Sequence, residues 1–224
     1  MKKIGILLLI ICFMFLTGCT NYGKKFSKNE VFDVDVVLTK EEVYDEIIQA
    51  INYYNDTDKK TINFNLTAHG YLINFEGCYK EDKSEDNIKI SVNMEGKLAI
   101  VFSARIEIYV KDGYLYKLTS ENDKLNKEEI IEKTKEVYDN DSNLGVQLVP
   151  ISEDFILKDE YQFGKDKNGR IIIQDLNGYF RMVIEDNEIL FAGYQLESGE
   201  LCYFEFEYGL ANIEYPNFSD YIEQ

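Results

Sequence analysis

The sequence predicts a mainly β, α+β domain: one large curved antiparallel sheet, a half-open β-barrel, with two or so covering helices. Three observations carry that expectation. Apolar and polar residues alternate through most of the chain, as with Ile62, Phe64, Leu66 and Ala68 against Asn63, Asn65, Thr67 and His69, and a period of two marks a strand with one buried face. Turn signals recur throughout the last two thirds, among them Lys111-Asp112-Gly113, Asn168-Gly169, Asn177-Gly178, Asp186-Asn187 and Ser198-Gly199, and such close spacing implies consecutive hairpins. The chain of 224 residues holds only two prolines and no sequence repeat, so a propeller or solenoid is not indicated.

In chain order, Lys2 and Lys3 precede an apolar stretch over 4–16. That is too short for a hydrocarbon core, which needs about 20 helical residues, and it reads as an export signal. Leu16, Thr17 and Gly18 then lead into Cys19, a run that resembles the lipobox of bacterial lipoproteins. The resemblance implies cleavage between Gly18 and Cys19 and lipidation of the Cys19 thiol. Its further consequence is a membrane anchor on the outer face of the bacterial cytoplasmic membrane, since two acyl chains hold stably where one is marginal. The expected organisation is a signal peptide over 1–18, a lipidated N-terminus and polar tether over 19–38, and one domain over 39–224.

Thr39 and Glu42 have capping-box spacing, and Val43, Ile47, Ile51 and Tyr54 recur at helical spacing behind them, predicting the first helix. Strands follow from Thr61, with a bend near Gly70, then Ile88 to Met94, a turn at Glu95-Gly96-Lys97, and a long strand carrying Leu98, Ile100, Phe102, Ala104, Ile106 and Ile108. A second helix is expected after Asn126, its apolar stripe made by Ile130, Ile131, Thr134, Val137 and Tyr138. The last third returns to strands, beginning with "DFILKDEYQF".

A formal charge of −17, from 41 acids against 24 Lys and Arg, excludes the basic footprint that nucleic acid or anionic headgroups require. With 45% hydrophobic residues, 17 Tyr and 14 Phe, the chain is a packed globule with a solvated acidic face rather than a disordered acid. Cys78 and Cys202 either form a disulfide, as exported proteins allow, or are two small buried side chains. The single histidine, His69, has no Cys or His cluster beside it, so no metal site is expected. No nucleophile elbow or phosphate loop is present, and no catalytic residue or cofactor is assigned. Glu205 and Glu207 share a strand face and could serve a glycosidase only if two carboxyls faced each other across a cleft. Phe204, Phe206 and Tyr208 on the opposite face, with Phe180, Phe191, Tyr194 and Tyr203 nearby, read as core packing of a curved sheet.

The order of lipobox, tether, capped helix "TKEEVYDEIIQAINYY" and strand "TINFNLTAHGYL" is similar to the LolA/LppX-like lipoprotein-carrier superfamily. So are "IEIYVKDGYLYKL", the C-terminal hairpins and the ending "ANIEYPNFSDY". That resemblance implies a half-barrel whose apolar concave side binds a lipid or acyl chain. From the strand pattern itself, apolar residues such as Phe64, Ile100 and Phe102 are expected to line or underlie that concavity. Three readings stand. The first is a membrane-anchored, non-enzymatic lipoprotein with a hydrophobic ligand. The second is an envelope sensor or adaptor that binds another protein through an exposed aromatic patch on the convex face or at a sheet edge. The third is a carbohydrate-active enzyme.

Overall fold

The computed structural model describes residues 34–68, 73–85, 88–98, 101–139, 151–177, 179–195 and 201–223. Its order is β1 (Val36–Leu38), α1 (Lys40–Asp56), β2 (Lys59–Ala68), β3 (Ile73–Asp82), β4 (Lys89–Leu98), β5 (Phe102–Lys111), β6 (Tyr114–Asp123) and β7 (Glu128–Val137). The second half continues with α2 (Glu153–Ile156), β8 (Tyr161–Lys165), β9 (Ile171–Asp175), β10 (Phe180–Glu185), β11 (Glu188–Gln195), β12 (Leu201–Tyr208) and β13 (Ile222–Glu223). All thirteen strands join one open, curved sheet in the order β1-β8-β9-β10-β11-β12-β2-β3-β4-β5-β6-β7-β13. The expected fold class is therefore the observed one.

The sheet is two meanders sewn together. β2 to β7 follow each other as hairpins, β8 to β12 do the same, and β12 returns to lie antiparallel to β2, with Cys202 opposite Leu66 and Tyr208 opposite Lys60. Two-residue turns set the hairpins where the sequence signals them. Asp112 (φ 51°) and Gly113 (φ 78°) join β5 to β6, and Asp186 (φ 50°) and Asn187 (φ 63°) join β10 to β11. Positive φ at both central residues matches the right-handed twist of the flanking strands.

α1 begins as its capping box requires: Thr39 Oγ1 accepts from the Glu42 N–H at 3.3 Å, and Glu42 Oε2 accepts from the Thr39 N–H at 2.7 Å. Val43, Ile47, Ala50 and Ile51 are buried, and the helix packs on β8 and β11. These side chains join Ile62, Ile90, Val92, Ile108, Phe180, Met182 and Phe204 in one core cluster. Lys40 Nζ donates to the Leu157 carbonyl at 2.8 Å, tying the start of α1 to the end of α2.

Four expectations are corrected. Residues 128–137 form a strand rather than the second helix: β7 pairs along its length with β6, Glu128 opposite Asp123 and Val137 opposite Tyr114. Its apolar residues are exposed, so no helical stripe meets a core. The second helix is instead α2, which overlaps the start of the stretch read as the strand "DFILKDEYQF", while Tyr161 to Phe163 at its end are strand as expected. Gly96 lies within β4 and not in a turn: it pairs between Phe75 and Ala104, and a Cβ there would run into the Phe75 ring. Val36–Leu38, in the expected tether, pairs with β8 as β1. The bend expected near Gly70 and the side chain of His69 lie outside the described residues.

Candidate functional site

Because strand partners share a face, the register fixes what each side of the sheet presents. The α1 side carries the apolar set. On the opposite side, two cross-strand rows run over the middle of the sheet. One is Glu205, Asn63, Cys78 and Asn93, continuing to Glu107; the other is Tyr203, Asn65, Glu76, Glu95 and Arg105. With Phe64, Gly77 and Met94, whose positions belong by register to the other face, all of these but Glu107 line a trough of about 600 Å³. Gly77 is needed beneath it, since a Cβ there would come 2.5 Å from both the Phe64 ring and the Asn93 carbonyl.

The lining of the trough is mixed, with more apolar than polar surface, and its charged groups are acidic on balance. Glu76, Glu95 and Glu205 stand against one guanidinium, Arg105, which is paired with Glu107. Glu95 also meets Lys97 Nζ at 3.2 Å. The Tyr109 hydroxyl lies 3.1 Å from Glu107 Oε2 and 3.2 Å from Asn93 Oδ1, steadying both. Burial pushes the Cys78 thiol above its ordinary pKa, with Lys80 opposing and Glu207 adding to the shift. A raised thiol pKa makes a poor nucleophile at neutral pH.

One side of the trough is bounded by an apolar patch on the same face. Tyr203 stacks on Phe191 (centroids 5.9 Å apart, planes 19°), beside Ile172, Val183 and Val34. Beyond the other end, residues 209–223 cross the face as a strap. Thr61 Oγ1 donates to the Leu210 carbonyl and Lys80 Nζ to the Asn212 carbonyl, each at 2.8 Å. Tyr215 then donates to the Val110 carbonyl at 3.1 Å, Phe218 stacks on Tyr116 at 3.9 Å, and Asp220 pairs with Lys133 at 2.7 Å. The strap ends as β13, parallel to β7 at Thr134 and Lys135.

Of the residues singled out in the sequence, Gly18, Cys19 and Ile100 lie outside the described residues. Phe64 is half-buried and packs on the core, its ring 6.2 Å from that of Phe204. Phe102 is half-buried at the start of β5, opposite Leu98. Phe180, Phe204 and Phe206 are core, as expected.

Cys78 and Cys202 are not joined to each other in the structure. The register gives the reason. Cys78 belongs to the row of Glu205, whereas Cys202 is three positions along β12 from Glu205 and so on the opposite face, where it packs against the core. Glu205 and Glu207 are neighbours on one strand face, and Glu207 Oε1 accepts from Asn63 Nδ2 at 3.1 Å; they do not oppose each other across a cleft. Among the described residues no group of three or more His, Cys, Asp or Glu could hold a metal ion.

Tyr203, expected in the core, lines the trough instead, and the trough residues missed in the sequence are Asn63, Asn65, Glu76, Asn93, Glu95 and Arg105. Their signal was the polar half of the same alternation that revealed the core. No protein-family model matches the chain, and no curated protein matches it.

Proposed function

We propose that this protein is an exported, lipid-anchored binding protein of the bacterial cell envelope, which performs no chemistry and holds a polar ligand on the face of its sheet away from α1. The observation that carries the reading is the trough of about 600 Å³ lined by Asn63, Asn65, Asn93, Glu76, Glu95 and Tyr203, a volume within the range of small-ligand sites. Amides and carboxylates in excess over cations favour a neutral or cationic ligand rich in hydrogen-bond donors. The resemblance at Leu16 to Cys19 supplies the anchor and the location. The absence of opposed carboxylates in Glu205 and Glu207 is what supports binding over hydrolysis.

A hydrophobic ligand would lie on the other face, where Phe64 packs against the core cluster that α1 helps to form. What favours that second reading is the rim at Phe102 and Leu98, directly paired and incompletely covered, with Leu98 exposed.

The test is native mass spectrometry of the protein carried through its own export signal and extracted in mild detergent. It is followed by binding of a panel of polyamines, basic peptides and oligosaccharides. A diacylglyceryl mass lost in Cys19→Ala is expected. So is a polar ligand whose binding falls about tenfold or more in Glu205→Gln and Tyr203→Ala, the loss of roughly one good contact. An acyl lipid retained by both trough variants would reject the polar site, and an unlipidated wild-type chain would reject the anchor.

A further inference from the structure

β7 stands at the end of the sheet with half of its edge open. β13 pairs with it only at Thr134 and Lys135, so among the described residues no strand lies beside the outer edge of 128–133. Natural edges are kept short, bulged, broken by proline or blunted by charged side chains; on this edge the charges flank Ile130 and Ile131 without replacing them. This one runs ten residues in unbroken register with β6 and has no proline. It also carries Ile130 and Ile131, 46% and 58% exposed, at the centre of the open stretch.

We propose that this edge is where a second copy of the chain docks, strand to strand. A twofold axis relating two antiparallel copies of one edge stands perpendicular to the sheet, so that paired residues share a face. The self-pairing register is then centred on one residue. Centring on Ile130 sets Glu128 against Glu132 of the other copy, twice. Centring on Ile131 sets Ile131 against itself and Glu129 against Lys133 of the other copy, twice, with Ile130 beside Glu132.

Opposite charges directly across a ladder stabilise and like charges destabilise, so charge selects the register centred on Ile131. That register also fits the room available. Five residues, 129–133, form the ladder. The incoming strand leaves for its own β6 where it would otherwise meet Ile222, which already flanks Thr134. A contact this small is below the standard interface size and implies a dissociable pair. The inference does not depend on what fills the trough.

The register names its own probe. Cα atoms directly opposite in an antiparallel ladder are about 4.5–5.5 Å apart, within disulfide range. The full-length chain carrying Ile131→Cys, oxidised with copper phenanthroline in native membranes, is expected to give a reducible dimer. Leu125→Cys, at the exposed hairpin beyond the ladder, is expected to give far less. Adding Glu129→Lys to Ile131→Cys should cut the dimer about tenfold, from two attractive pairs made repulsive, and adding Lys133→Glu as well should restore it. Lys133 also binds Asp220, so Asp220→Asn serves as the control that removes that pair and leaves the dimer unchanged. No dimer from Ile131→Cys, equal yield from Leu125→Cys, failure of the charge swap to restore, or cross-linking to a different protein instead would each overturn the inference.

Discussion

Asp166 shows how much a single side chain can organise in this fold. It follows β8, is buried, and receives four bonds. Its Oδ1 accepts from the N–H groups of Asn168 and Arg170, each at 2.9 Å, and its Oδ2 accepts from Arg170 Nε at 2.8 Å and Nη2 at 2.5 Å. Burial alone would raise its pKa, but the Arg170 guanidinium and the two backbone donors outweigh it and hold the carboxyl below its ordinary value. A depressed folded pKa means that the unfolded chain binds the proton first as pH falls. The contribution is therefore complete above the unfolded value, near 3.9, and is lost as pH drops through the lower folded one. Asp166→Asn should cost about 2–4 kcal/mol at pH 7, because it leaves Arg170 beside a neutral partner. The deficit against wild type should shrink below about pH 4. Urea denaturation at pH 7 and pH 3 reads both; a deficit that stays constant with pH would show that the carboxylate charge contributes nothing.

At the scale of elements, the strap is the feature whose role is structural rather than connective. Residues 209–223 have little regular structure, yet three aromatics pin them: Tyr215 and Phe218 lie against Tyr109, and Phe218 and Tyr221 against Tyr116. Burial and the nearby Asp112 and Asp82 push the Tyr215 hydroxyl up to about 12, so it stays a donor to the Val110 carbonyl throughout the ordinary pH range. Phe218→Ala should cost about 1–3 kcal/mol, less than a fully buried Phe because the ring is half-exposed. The loss should be local: amide hydrogen exchange would rise at Tyr221 to Glu223 and along the outer edge of β7, while α1 stays protected. Unchanged exchange at β13 would mean the strap holds without its aromatic clasp.

The elements also show what the sequence could and could not tell. α1 was legible because its cap and its stripe at 43, 47 and 51 agree, and the paired turns at Asp112-Gly113 and Asp186-Asn187 were legible because their positive φ demands those residues. β7 was not, because Ile130, Ile131, Thr134 and Val137 mimic a helical stripe. Nothing local records that a strand at the sheet's end leaves both faces wet. Gly96 was misread for a related reason: a glycine under an aromatic ring from the next strand and a glycine in a turn look alike until the register is known. The trough was partly legible: Asn63, Asn65 and Glu205 were marked as polar strand positions but not as neighbours.

For the molecule as a whole, the decisive join is β12 on β2. Without it the sheet would be two separate meanders, one from residues 59–137 and one from 161–208, and α1, which leads directly into the first, leans on β8 and β11 of the second. The chain is thus crossed over: helix on one half, following strand in the other, and the seam between them built from the first and last thirds of the sequence. Contacts of that range are slow to form, because loop closure is completed before they reward it, but once made they couple the halves. Phe204 sits at this seam, 4% exposed, paired with Phe64 on one side and Ala192 on the other. Phe204→Ala should cost about 3–5 kcal/mol. It should also shift one calorimetric transition to lower temperature as a unit, with calorimetric and van't Hoff enthalpies equal before and after. Two resolved transitions in the wild type, or a variant in which only the 161–208 half melts early, would mean that the halves fold independently and that the seam only docks them.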